Sequence, residues 1–264
     1  MTLPADYHAH SNYSDGRPLP SMVAAAADAG LEAIGITDHC NVSSRELPQR
    51  AKRKLGFNLD QTYGRRREAL RSLREQAPES NPITIYDAVE LDYDPRDESE
   101  IERFLEDAAF DYTIGSVHVV DDANIFDREY FAAKSESELQ DLVAEYYDKV
   151  VALIESELFD VVGHVDAIER TPELRGYTTQ AHYERVAEAL EFSPTVPEIN
   201  AGRVLEEYGH FHPAPAFLEA IQGRDVQFVP GTDSHRPAEL LDRLPVLEER
   251  FADLDLEPVT PFSE

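Results

Sequence analysis

The stretch ADYHAHSNYSDG, residues 5–16, places two histidines one residue apart and an aspartate five positions further on. Taken alone it fits either a metal site or a decorated turn. In an extended chain the side chains at i and i+2 point to the same side, so His8 and His10 can grip one ion; a helix would need i and i+4. The choice therefore rests on the local backbone. A β-rich run, Leu3 to Tyr7, leads into the stretch, and an amphipathic segment, Ser21 to Ala29, follows it and stops at Gly30.

That alternation continues along the chain. Further strand-like runs are Ala33 to Thr37, Ile83 to Leu91, Tyr112 to Ser116, Phe159 to Val162, Thr195 to Ile199 and Gln227 to Gly231, seven in all. Between them lie helical patterns at Gln61 to Gln76, Glu98 to Ala108, Glu136 to Glu157, Thr179 to Glu191 and Ala214 to Gln222. Strict alternation implies parallel strands joined by crossovers, and seven repeats predict an α/β fold closed into a barrel. No low-complexity linker divides the 264 residues, so one domain over 1–264 is expected. Asn41 to Asp60 is the longest irregular piece, long enough for a lid or binding loop, and the last twenty or so residues carry no assignment.

The composition is globular, with 42% hydrophobic residues, but the net charge is −29. Such an excess of carboxylate disfavours nucleic-acid and anionic-membrane surfaces. Only four of the 24 basic residues are Lys, and this acid-rich, Arg-over-Lys balance resembles proteins of salt-loving archaea. In molar salt the Debye length is about 3 Å, so net charge then says little about partners. A single cysteine, Cys40, and the lack of a signal-like or membrane-length apolar run predict a soluble cytoplasmic protein. Ten of the basic residues fall between positions 45 and 74, as a solvated face or as a positive rim for an anionic substrate.

Most histidines and certain acids fall at the carboxyl ends of the predicted strands. His8 and His10 follow the first, His39 the second, Glu90 ends the third, His118 follows the fourth, His164 the fifth, and Asp233 with His235 the seventh. Parallel α/β barrels assemble their active sites at that end. With Asp15 these are nine potential ligands, too many for one ion, so two or three divalent metals are implied. Imidazole and carboxylate together suit Zn, Mn or Fe. A second His-x-His, GHFHP at His210 and His212, follows no apolar strand and reads as a polar loop; His182 reads as a helix-surface residue.

The motifs DYHAHSNYSDG, IGITDH, VELD, FDYTIGSVH, FDVVGHVD and PGTDSH, in this order over residues 3–245, resemble the polymerase and histidinol phosphatase (PHP) superfamily. The resemblance implies a distorted (β/α)7, TIM-like barrel with a trinuclear metal centre. It implies that His8, His10, Glu90 and Asp233 hold one ion, that Glu90, His118 and His164 hold a second with Glu90 bridging, and that Asp15, His39 and His235 hold the third. PEINAGRVLEEYG from Pro197 resembles the sixth-strand motif of histidinol-phosphatase-like members, which gives Arg203 to substrate phosphate and Asn200 to the pocket wall, with Arg170 a weaker candidate. The implied activity is hydrolysis of a small phosphomonoester by a metal-activated hydroxide, with Glu90, Asp233 and His235 in catalytic positions. Alternatives are a nucleotide, phosphotyrosine or nucleic-acid end as substrate, and a metal-binding regulatory protein without turnover.

Overall fold

A computed structural model describes residues 2–76 and 82–262. Its strands follow one another around a ring. β1 (Ala5–Ala9) pairs in parallel with β2 (Ala33–Ile36), which resumes after a two-residue break as β3 (His39–Cys40). β4 (Thr84–Asp87) lies beside β2, and its continuation β5 (Val89–Asp92) lies beside β3. Next around the ring come β6 (Thr113–Ser116), then, past a small antiparallel hairpin of β7 (Val119–Val120) and β8 (Ala123–Asn124), β9 (Val161–Val162), β10 (Val196–Asn200) and β11 (Val229–Gly231). The ring closes where Ala9 bridges Ser234, with the His10 N–H donating to the Ser234 carbonyl at 2.9 Å and the Asp233 N–H to the His8 carbonyl at 2.8 Å. Counting β2/β3 and β4/β5 as one run each gives the seven parallel strands that the sequence predicts.

The crossovers are helical. α1 (Leu19–Asp28) links the first two strands, α2 (Glu46–Leu55) and α3 (Leu59–Gln76) the next, then α4 (Glu98–Ala108), and α5 (Arg128–Ala132) with α6 (Glu136–Glu155). α7 (Gln180–Glu191) and α8 (Pro215–Ala220) follow, and α9 (Pro237–Asp253) packs against α1. All five residues of β1 are buried, as expected for a strand whose inner face meets the barrel core and whose outer face meets helices. The amino ends of the strands are plugged by aromatic rings: Tyr7 meets Tyr112 edge-on at 5.8 Å, and Phe262 lies 5.0 Å from Tyr86. The opposite end is left for polar side chains.

Two expectations need correction. The piece Asn41 to Asp60 is not irregular throughout, because it contains α2. Pro48 sits in the first turn of that helix, where its missing N–H costs no hydrogen bond, and Gly56 closes it at φ +78°. The C-terminal residues are also structured. α9 continues through Pro245 to Asp253, and the Val259 N–H then donates to the Phe228 carbonyl at 3.0 Å, which brings Phe262 to the aromatic plug. Among the described residues no helix is long and apolar enough to cross a membrane.

Candidate metal centre

All nine predicted ligands converge at the carboxyl ends of the strands, and they fall into adjoining groups. His8, His10 and Asp233 form one; Glu90, His118 and His164 a second; His10, Asp15, His39 and His235 a third. His10 belongs to two of these groups, whereas the family resemblance gives it to one ion only. Glu90 Oε2 also reaches the first group, 3.4 Å from His8 Nε2 and 3.5 Å from His10 Nε2. Within that group His8 and His10 bring their Nε2 atoms to 3.1 Å, and Asp233 Oδ1 lies 3.9 and 3.4 Å from them. Four donors around an ion at about 2.1 Å stand roughly 3.4 Å apart on a tetrahedron. The spacing therefore fits a divalent ion.

Glu90 joins the groups. Its Oε1 faces His164 Nε2 at 3.0 Å and His118 Nε2 at 3.8 Å, while Oε2 faces His8, His10 and, at 2.8 Å, His39 Nδ1. The His39 ring is out of line for a hydrogen bond, so Oε2 has no hydrogen-bond partner among the described residues, although it is buried. The same holds for His10 Nδ1 and His164 Nδ1. Buried polar atoms without partners are rare in folded proteins, and an orphaned carboxylate oxygen amid imidazoles is what a missing cation would leave. The residues present fit two or three divalent ions.

The backbone is shaped for this convergence. His164 and Asp233 take left-handed conformations, φ +23° and +50°, strained for side-chain-bearing residues and typical of functional sites. Gly231 lies so close to the Glu198 carboxylate that a Cβ there would collide with it. The turn carrying Asp15, flexible to judge from its composition, is pinned by buried Asp38, which accepts from the Ser11 N–H at 2.6 Å and from Ser11 and Ser14 Oγ at 2.7 and 3.0 Å. Asp38 is held in turn by fully buried Arg66 at 3.0 Å, which also bonds Asp87 at 2.7 Å. Several members of the basic 45–74 region thus brace the barrel: Arg66 and Arg67 on Asp87, Lys52 on Asp60, Arg45 on Asp97, Arg74 on Asp111.

A ring of acceptors, unassigned from the sequence, orients the ligands. Glu198 Oε2 accepts from His8 Nδ1 at 2.8 Å, which turns Nε2 inward, and Asp92 Oδ1 does the same for His118 Nδ1 at 2.6 Å. Asp92 follows Glu90 by two, Glu198 precedes Asn200 by two, and Asp166 follows His164 by two. Their spacing repeats the i, i+2 relation of His8 and His10.

Electrostatics follow from burial. Desolvation opposes charge throughout, yet His8, His10, His235 and Arg170 hold the buried Asp233 carboxyl well below the usual range, and His39, His8 and His164 do so for Glu90. His10 is pushed down to about 4, by burial first and then by His235 and His39, so its ring is neutral at pH 7, the form that ligates metal. His39, buried but beside Glu90 and Asp15, is drawn up to about 9. A persistently ionised pair of carboxylates in a sheltered site is complementary to a cation.

The three predicted substrate residues separate. Arg170 is nearly buried at the rim, with Nη2 3.5 Å from Asp233 Oδ2 and Nε donating to His212 Nε2 at 2.8 Å. Arg203, favoured from the sequence, is half-exposed and pairs with Glu206 at 2.8 Å. Asn200 is fully buried, donating to Glu198 at 2.9 Å, lying 3.4 Å from Asp233 Oδ2 and accepting from the Gly202 N–H at 2.8 Å. Both arginines line a cleft of about 200 Å³ with Phe126, Glu206, Glu207 and Tyr208. His212 is corrected too. It is not a loop ornament but a fully buried residue whose Nδ1 lies 2.5 Å from Asp166 Oδ1, while His210 is exposed. His182 caps the start of α7 and stacks on Tyr147 at 5.1 Å.

Comparison with known proteins gives concordant results. A Deinococcus radiodurans protein named "Probable histidinol-phosphatase" is 27% identical over 245 residues, 91% of this chain and 89% of that one. The histidinol-phosphatase of Lactococcus lactis is 30% identical over 169 residues, 62% of this chain and 57% of that protein. The histidinol phosphate phosphatase structure from Lactococcus lactis, solved with zinc, L-histidinol and phosphate, shares the fold at TM-score 0.73 and 22% identity, covering 100% of this chain and 98% of that one. The PHP domain family matches residues 6–196, well over half of the sequence, and by that match the chain belongs to the PHP domain family.

Proposed function

We propose that this protein is a soluble, cytoplasmic, metal-dependent phosphomonoesterase of the histidinol-phosphatase type, one PHP domain throughout. The observation that carries the reading is Glu90, a buried carboxylate whose two oxygens face different histidine groups. In this reading His8, His10, Glu90 and Asp233 hold one ion, Glu90, His118 and His164 a second, and Asp15, His39 and His235 a third. Divalent ions so held polarise a phosphoryl group and bring the pKa of a water toward neutrality. The naming of both curated relatives as histidinol-phosphatases supports the substrate class.

The chain's own residues supply the rest. Arg170, beside Asp233, presents a guanidinium for fork-shaped contact with phosphoryl oxygens, and Arg203 stands further out on the same cleft. Glu206 and Glu207 at that cleft repel polyanionic leaving groups, which favours a neutral or cationic alcohol over a nucleotide. Asp233, kept ionised, is unsuited to donate the proton to the leaving alkoxide; His235 stands at the solvent-facing rim, 3.3 Å from Asp15.

The test is to measure bound Zn, Mn and Fe and phosphate release from histidinol phosphate, mononucleotides and para-nitrophenyl phosphate. Two or three ions per chain with preference for histidinol phosphate are expected. A tenfold preference for a nucleotide would refute the substrate, and bound metal without release from any ester would leave a regulatory role.

A further inference from the structure

Arg170 faces a competing partner. A guanidinium beside a carboxylate ordinarily closes to a bidentate pair with N···O near 2.7–2.9 Å. Here Arg170 makes one long contact with the carboxylate, Nη2 at 3.5 Å from Asp233 Oδ2, while its Nε donates to His212 Nε2 at 2.8 Å. A guanidinium nitrogen can only donate, so His212 Nε2 accepts and its proton lies on Nδ1, directed at Asp166 Oδ1 2.5 Å away.

The imidazole itself is fixed from every side. Asp166 also accepts from the Ala214 N–H at 2.6 Å; the His212 backbone exchanges hydrogen bonds with Asn200 of β10 at 2.7 and 3.0 Å; Tyr208 stacks on the ring at 5.0 Å, 10° from parallel. A carboxylate in this place would neutralise the guanidinium. A neutral imidazole holds it and leaves its charge intact, and burial keeps His212 neutral by pushing it down to about 4.

We propose that His212 is a positioning residue, the middle of an Asp166–His212–Arg170 line that holds the Arg170 guanidinium off Asp233 and aimed at the substrate phosphoryl group. This rests on the reading of Arg170 as a phosphate contact. Without the line, Arg170 closes on Asp233 and ceases to face the cleft.

The experiment uses the metal-loaded protein and the variants R170A, H212A, H212Q, H212N and R170A/H212A. Metal content, inorganic phosphate Kd by calorimetry, and kcat and KM for histidinol phosphate are read for each. A hydrogen bond to a charged group accounts for roughly tenfold or more in binding, so H212A is expected to weaken phosphate and raise KM by about tenfold, with metals retained and kcat less affected. H212Q should restore most of the loss, because the Gln side-chain oxygen reaches the Nε2 position; H212N, which reaches only Nδ1, should not. In the R170A background H212A should add nothing. If R170A weakens phosphate but H212A does not, or if H212A costs as much without Arg170 as with it, the positioning role is overturned while the Arg170 assignment stands. If R170A itself leaves phosphate Kd and KM unchanged, both fall. Should H212A not fold, the contrast of H212Q with H212N decides: equal behaviour contradicts the proposal.

Discussion

The chain carries two His-x-His pairs, and they do different things. His8 lies on β1 and His10 directly follows it, its N–H donating to the Ser234 carbonyl at 2.9 Å; both are fully buried, with Nε2 atoms 3.1 Å apart. His210 and His212 have the same spacing, yet one is exposed and the other is buried against Asp166 and Arg170. The first pair is held by parallel strands on both sides, which enforce the alternation that puts i and i+2 together. The second touches β10 only through Asn200 and His212, so nothing forces His210 to follow its neighbour. Identical spacing yields a joint site only where the backbone is pinned as a strand.

That contrast can be broken in stages. His10 stands in two of the three ligand groups, so H10A should lose at least one ion; with several kcal/mol of transition-state stabilisation at stake, kcat/KM should fall by about a thousandfold, followed by phosphate release and elemental analysis. Glu198 acts one step back, through His8 Nδ1, and E198Q should lower metal affinity by about 10–100-fold in a chelator titration, with a smaller effect if His8 keeps its tilt unaided. A pH series sharpens the role of the second pair. His212 is depressed to about 4 when folded, so the folded state binds fewer protons than the unfolded one below about 6.5; stability should drop as pH falls from 6.5 toward 4, and H212Q should flatten part of that slope in thermal melts. His10, also depressed to about 4, and His164, lowered by burial, add slope of the same sign, while Asp6, raised by burial to about 6, opposes it. The smallest effect belongs to H210A: an exposed substitution should change stability by no more than about 0.5 kcal/mol, and its kinetics should match the parent.

The barrel was legible because seven β-rich runs alternate with helical patterns, and six of the seven end on or lead into a candidate ligand, from His8 at the first to Asp233 at the last. What escaped was set by tertiary context. α2 is dense in charge and contains Pro48, which hid the i, i+4, i+8 spacing of Leu47, Ala51 and Leu55, although Glu46 at its start, Lys52 to Lys54 at its end and Gly56 beyond are ordinary helix signals. α9 contains Pro245, which reads in the sequence as a helix stop although the helix runs through it. At the site the side chains facing the cleft stood out, while the acceptors behind them, Glu198, Asp92 and Asp166, did not, since an acid two residues from a ligand looks like any other acid in a chain with 53 of them. Arg203 was favoured over Arg170 by motif; in the fold Arg170 lies 3.5 Å from Asp233 and Arg203 pairs with Glu206.

The central claim is that one carboxylate, Glu90, serves two ions, and elemental analysis of E90Q against the parent tests it most directly. The account predicts that metal content falls by two ions per chain and phosphate release disappears, with the fold retained by circular dichroism. Loss of a single ion, with the remainder bound as tightly as in the parent, would contradict it.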